Sequence, residues 1–295
     1  MKILHEDSSQ ITLNLVTILV YGIWFIQIFL DPIDVLSFLP ISIFEPVGFL
    51  RLIPVSVRPL LINSFFLTGL KFATLISLAF VILNILRNPA SILACILITI
   101  YQGIVCGFAG RIHHYDLVLL YSAYFLALFP ITDEIVKRYK QQVIEVKKNL
   151  YGIPLVATLS AICFTYTFVG IYRIVHGDIE VFASDTITYW AIRNSYLELN
   201  PTWGFGRFLL EYPLFEKILK LGFVIITIFE VLAPICLFWR WFRYTFLSIM
   251  IPFHFLSWIF LNIMFWENLL LFVLFFDIEG IVNRVKSRGS HYSIN

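Results

Sequence analysis

Charge is scarce in this chain. Of its 295 residues only 14% are Asp, Glu, Lys or Arg, against about 25% in an ordinary soluble domain, and that deficit excludes a solvated globular fold. The 21 basic and 19 acidic residues leave a net charge of +2, and no basic patch interleaved with aromatics is present to engage nucleic acid. Cysteine is sparse as well: Cys95, Cys106, Cys163 and Cys236 lie in apolar runs, with no CxxC pair and no histidine at ligand spacing. They read as small buried hydrophobes, so neither disulfides nor a metal site is expected. Internal repeats and low-complexity segments are lacking too. The first ten residues carry Glu6 and Asp7 beside Lys2, without the basic start and small-residue cleavage site of a signal peptide, so the first apolar run is expected to be retained.

Apolar residues fill the space that charge leaves. Sixty per cent of the chain is hydrophobic and 30 residues are Phe, with a mean hydropathy of +0.88. This predicts an all-α, polytopic integral membrane bundle built from spans of about 20 residues each. Eight spans are expected, at about residues 11–30, 60–86, 90–109, 115–129, 151–175, 215–239, 242–262 and 264–276, in one transmembrane domain covering 1–295. Between the first two, Pro32, Pro40, Pro46, Pro54 and Pro59 are too closely spaced for one helix and predict an ordered, apolar, interface-hugging loop. Residues 132–149 form the most polar connection, and residues 176–212 are an amphipathic mixture with bend residues Pro201, Gly204 and Gly206.

Loop charge sets the expected orientation. With the N-terminus inside, Lys2, Arg87, Lys137, Arg138, Lys140, Lys147, Lys148, Arg240, Arg243, Arg284, Lys286 and Arg288 face the cytoplasm, and Arg51, Arg58, Arg111, Arg173, Arg193 and Arg207 face outward. Both termini are then cytoplasmic, in what is expected to be the cell inner (plasma) membrane. The proline-rich loop, the corner near Arg111 and the segment after Arg173 share the outer side.

Polar side chains at membrane depth are costly and therefore mark functional sites by default. Three groups stand out. The corner Arg111-Ile112-His113-His114-Tyr115-Asp116 offers imidazoles that titrate near neutrality as acid-base groups, or else an interfacial polar cap. Arg173, followed by His176 and Asp178, is either a bidentate clamp for an anion or a snorkelling side chain paired with Asp178. Glu230 and His254 lie on successive spans at about 15 Å and about 18 Å from their shared turn, at about 1.5 Å per residue, and are expected to meet as structural glue or as a proton relay. Lys71, at a similar depth of about 16 Å, is expected to join them.

A wider pattern runs through these residues. An apolar span ending at a YxxxGxxx boundary, Tyr166 to Arg173, is followed by an acidic and aromatic segment. Glu230, Ala233 and Pro234 come next in an E-x-x-A-P span, then Phe253 and His254 in an F-H span, with His113 and Tyr115 at the early corner. The pattern resembles the HTTM domain, the membrane domain shared with vitamin K-dependent gamma-carboxylases, over most of the chain. The resemblance implies eight or nine spans and a reaction site on the outer or luminal side. It also implies a quinone or reduced vitamin K-like lipid as cofactor, with His113 assisting carboxylation. Where the family places a base-forming lysine this chain has Arg173, whose permanent charge withholds that function, so classical glutamate carboxylation is not the expected reaction. Two classes of function follow. One is a membrane enzyme acting on a quinone-like or other lipidic substrate, with His113, His114 and Arg173 catalytic and Lys71, His176, Asp178, Glu230 and His254 as a supporting network. The other is a non-catalytic protein that binds a lipid or a membrane-protein partner.

Overall fold

The computed structural model describes residues 4–5, 8–110, 114–128, 151–175, 211–261 and 265–281, with positions 189, 193, 283 and 284. Every regular element among them is helical: α1 (Gln10–Leu30), α2 (Ser64–Ile82), α3 (Arg87–Ala109), α4 (His114–Leu128), α5 (Gly152–Val175), α6 (Pro213–Val231), α7 (Arg240–Leu261) and α8 (Trp266–Leu271), with a single helical turn at Arg58–Leu61 and 3-10 turns between α1 and α2, after α6 and after α8. Each expected span therefore overlaps a helix, but the α-helix of the sixth ends at Val231 rather than 239 and that of the eighth covers only Trp266–Leu271. Four of these, α1, α2, α3 and α5, are long and apolar enough to cross a membrane. By contrast, α4 and α8 are short, and α6 carries Glu216, Lys217, Lys220 and Glu230.

The boundaries follow backbone chemistry. The second span ends early because Asn84 and Leu86 adopt left-handed backbone, with φ of 58° and 45°. The third starts at Arg87, three residues before the expected Ala90, because Pro89 falls in the first helical turn, where a missing N–H costs nothing.

The described residues form two compact units, His5–Thr158 with Asp277–Asn295, and Leu159–Phe276 with Met1–Leu4. In the former, α1 packs on α2 and α4, and α3 on α2 and α4. Val20, Tyr21, Leu67, Leu78, Ile98 and Ile104 are fully enclosed there. Two buried polar tips find partners that relieve their desolvation: Tyr21 donates to the Ala123 carbonyl at 3.0 Å and Trp24 to that of Leu119 at 3.3 Å. Meanwhile Leu15, Ile18, Ile26 and Phe29 line an exposed stripe of α1, as Phe65, Phe72 and Ile76 do on α2, an apolar surface that suits hydrocarbon rather than water.

The proline-rich segment is ordered, as expected, into 3-10 turns at Ile33–Phe38, Ile41–Ile43 and Gly48–Leu52, with Phe38, Leu52 and Val55 largely exposed. It docks on a glycine spacing the sequence reading passed over. A Cβ on Gly103 would lie 2.8 Å from Leu50, and one on Gly107 2.5 Å from the Phe44 ring. The Glu45 N–H donates to the Gly107 carbonyl at 2.9 Å. A GxxxG pattern that elsewhere admits a second helix here admits a loop.

A clasp joins the chain's two ends. Ser9 caps α1, and one oxygen of Glu279 accepts from the Ser9 N–H at 2.9 Å, the Ser9 hydroxyl at 2.7 Å and the Thr12 hydroxyl at 2.5 Å, a carboxylate placed where helix N–H groups and the dipole favour it. Burial pushes the Glu279 carboxyl up, but the Thr12 and Ser9 hydrogen bonds prevail and hold it below the ordinary 4.5. A carboxyl depressed by folding adds stability above its unfolded pKa and loses it as pH falls through the folded one. Glu279→Gln is therefore expected to melt below wild type at neutral pH, with the gap narrowing below about 4.5 and closing in stronger acid. Scanning fluorimetry in detergent across pH reads this, and a pH-independent gap would contradict the charge argument.

Candidate functional site

The polar centre of the unit containing Leu159–Phe276 is assembled by one proline and one glycine. Pro234 lacks an N–H, and its ring would clash with the carbonyl four residues back, which belongs to Glu230. The α-helix accordingly stops at Val231 and the chain continues as a 3-10 turn over Ala233–Leu237. The carbonyls of Glu230 and Val231 instead face the Thr167 hydroxyl on α5, at 3.4 and 3.3 Å. One turn further along α5, Gly170 lets the two helices touch: a Cβ there would lie 3.0 Å from the Val231 backbone nitrogen and 3.1 Å from Glu230 Cβ.

The next residue on that face, Arg173, donates through Nη1 to Glu230 Oε2. Glu230 is 2% exposed and Arg173 16%, and the guanidinium also lies 4.7 Å from the centroid of Phe223, a cation–π contact strengthened by low hydration. Gly170→Val is expected to part α5 from α6 and break this pair, at roughly 1–3 kcal/mol. Its signature is non-additivity: in thermal melts, Glu230→Gln should cost clearly less in the Gly170→Val background than alone.

Tyr166 and His254 form a second pair, with the phenol oxygen 3.0 Å from the imidazole Nε2. Phenyl rings enclose it. Phe246 meets Tyr166 edge-on at 5.6 Å, Phe272 stacks on Tyr166 at 6.0 Å and tilts against His254 at 5.6 Å, and Phe265 meets the imidazole edge-on at 5.4 Å. Two residues before His254, Pro252 removes a helical hydrogen bond from α7. Tyr166 also feels the charges of Glu230 and Arg173, so the ion pair and the phenol–imidazole pair are electrostatic neighbours.

Arg173, Glu230 and His254 are thus brought into one neighbourhood, with partners other than those expected. The Glu230 carboxylate is taken by Arg173 and not by His254, because equal depth fixes height along neighbouring helices but not the face each side chain occupies. Tyr166, read only as part of a boundary motif, is the partner of His254. Lys71 bonds the Asp31 carbonyl at 2.6 Å, and Tyr101 donates to Asp31 Oδ2 at 2.9 Å. That placement caps the C-terminal end of α1 with a cation and accounts for a lysine in the middle of α2. His113, His176 and Asp178 lie outside the described residues, and His114 is placed only as the first residue of α4.

Among the described residues no group of three or more His, Cys, Asp or Glu side chains is arranged to hold a metal ion. Chemically, the centre offers a neutralised cation at the end of α5, a hydroxyl and an imidazole able to exchange a proton, and aromatic faces around them. Comparison of the chain with protein-family models, with curated proteins and with solved structures finds no match in any of the three.

Proposed function

We propose that this protein is an eight-span integral membrane protein of the HTTM type, with both termini cytoplasmic, that takes a quinone-like lipid at the polar centre formed by α5, α6 and α7. The observation that carries this reading is the Tyr166–His254 pair inside its phenyl cage, beside the buried Arg173–Glu230 pair. A quinone ring needs flat apolar faces and a hydrogen-bond donor at each carbonyl, and a buried phenol and imidazole ringed by Phe would offer both once the ligand replaces the hydrogen bond between them. In this reading Arg173 binds the developing anion when it exchanges partners with Glu230.

The test is mass spectrometry of the lipids retained by detergent-purified protein, with His254→Ala and His113→Ala alongside. An isoprenoid quinone retained by wild type and lost in His254→Ala supports the reading. Its absence from wild type overturns it.

One observation favours a second reading. The charge of Arg173 is already balanced by Glu230, which leaves no strong base there and suits a non-catalytic protein binding a lipid or a membrane partner. Stoichiometric co-purification of one protein with both wild type and His113→Ala, without a redox-active lipid, would establish it.

A further inference from the structure

A separate groove lies in the other unit, under the proline-rich loop. Its floor is one stripe of α3, where Thr99, Gly103 and Cys106 recur at helical spacing. Its walls are Val47 to Phe49 of the loop and Leu117 and Leu120 of α4. It is a small open groove of about 70 Å³, below the ~300–1,000 Å³ of enclosed small-molecule pockets, so it can seat only part of a chain that continues over the helix face. The same stripe of α3 continues outward through Ile96 and Ile92, each 49% exposed, while Cys106 at the inner end is 2% exposed. The apolar surface that α3 presents along its length therefore runs without interruption into the groove.

The groove's polar surroundings are asymmetric. Thr99 is already engaged by the Cys95 carbonyl at 2.6 Å and the Tyr124 hydroxyl at 2.7 Å. Among the described residues Gln102 has only a long 3.9 Å contact to Cys106 Sγ, so its carboxamide remains to serve a ligand. One 3-10 turn on from Gly48, Arg51 is exposed and donates through Nε to the Pro46 carbonyl at 3.1 Å. Among the described residues its two terminal amino groups have no acidic partner. Glu45, the acid nearest to Arg51 along the loop, is exposed, and its N–H is tied to Gly107.

We infer that this groove is a binding site for an anionic phospholipid, with one acyl chain along Thr99, Gly103 and Cys106 and the phosphate at Arg51. Three observations select that occupant. The walls are apolar, the groove is continuous with a helix face that suits hydrocarbon, and a guanidinium with free donors in fork geometry stands one turn from its rim. A quinone tail would satisfy the first two but has no use for the third. The site shares no residue with the Tyr166–His254 centre.

The test uses the full-length protein in nanodiscs of equimolar phosphatidylglycerol and phosphatidylcholine, released for native mass spectrometry. Wild type should carry one phospholipid, with phosphatidylglycerol preferred about fivefold, the effect of one basic residue at an anionic headgroup. Arg51→Gln, at an exposed position, should keep the adduct and lose the preference. Leu120→Trp, which fills the groove, should lose the adduct while its helical circular dichroism and melting stay near wild type. A wild type without preference, an Arg51→Gln protein that retains it, or an isoprenoid quinone as the retained species would each overturn the inference. If Leu120→Trp fails to fold, the Arg51→Gln comparison still decides the matter.

Discussion

Glu230→Ala should destabilise the folded protein by about 3 kcal/mol, the lower end of the ~3–5 kcal/mol seen when a buried ion pair loses one partner. The loss comes less from the attraction removed than from the cation left behind. Arg173 is 16% exposed and lies in the last turn of α5, so part of its side chain can turn toward headgroups and recover some hydration, which is why the upper end is not expected. Replacing both members, Arg173→Met with Glu230→Leu, should restore most of the stability, because two apolar side chains of similar volume need no compensation. Melting temperatures of wild type, Arg173→Met, Glu230→Leu and the double variant in one detergent close the double-mutant cycle. Single variants within about 0.5 kcal/mol of wild type, the range of an ordinary surface change, would show that the pair does not form.

That prediction was only half legible in the sequence. Composition and hydropathy located the helices, since apolar runs of span length between prolines and charges leave few alternatives, and the proline cluster after Asp31 announced a loop. Depth counting also marked Glu230 and His254 as out of place. Counting residues along a helix yields height, however, and says little about which neighbour a side chain faces. The pairing was set by Gly170, whose missing Cβ brings α5 onto α6, and by Pro234, which ends the helix of Glu230 one turn later. Those two residues are the signal a closer reading could have used: a glycine three positions before an arginine, and a proline four positions after a glutamate. Lys71 misled for the same reason, because its role is fixed by where another helix ends, at Asp31.

Phe272→Ala should be the most damaging change in the aromatic cage. Phe272 is 2% exposed and touches Tyr166, His254, Phe246 and Phe275, so its removal opens a cavity bounded by rings that cannot collapse without giving up their mutual geometry. Truncating a buried Phe to Ala costs about 3–5 kcal/mol. In a detergent micelle the transfer part of that cost shrinks, since the unfolded chain is also among hydrocarbon, while lost dispersion contacts and ring–ring terms of ~0.5–1.5 kcal/mol each remain. About 3 kcal/mol is therefore expected, with Phe272→Leu under about 1.5 kcal/mol because it keeps most of the volume. Phe255→Ala serves as the control: Phe255 is 44% exposed on α7 next to His254, and its truncation should stay within about 0.5 kcal/mol. If Phe272→Ala and Phe255→Ala melt alike, the phenyl cage does not hold the Tyr166–His254 pair in place, and the polar centre must owe its rigidity to the Arg173–Glu230 contact alone.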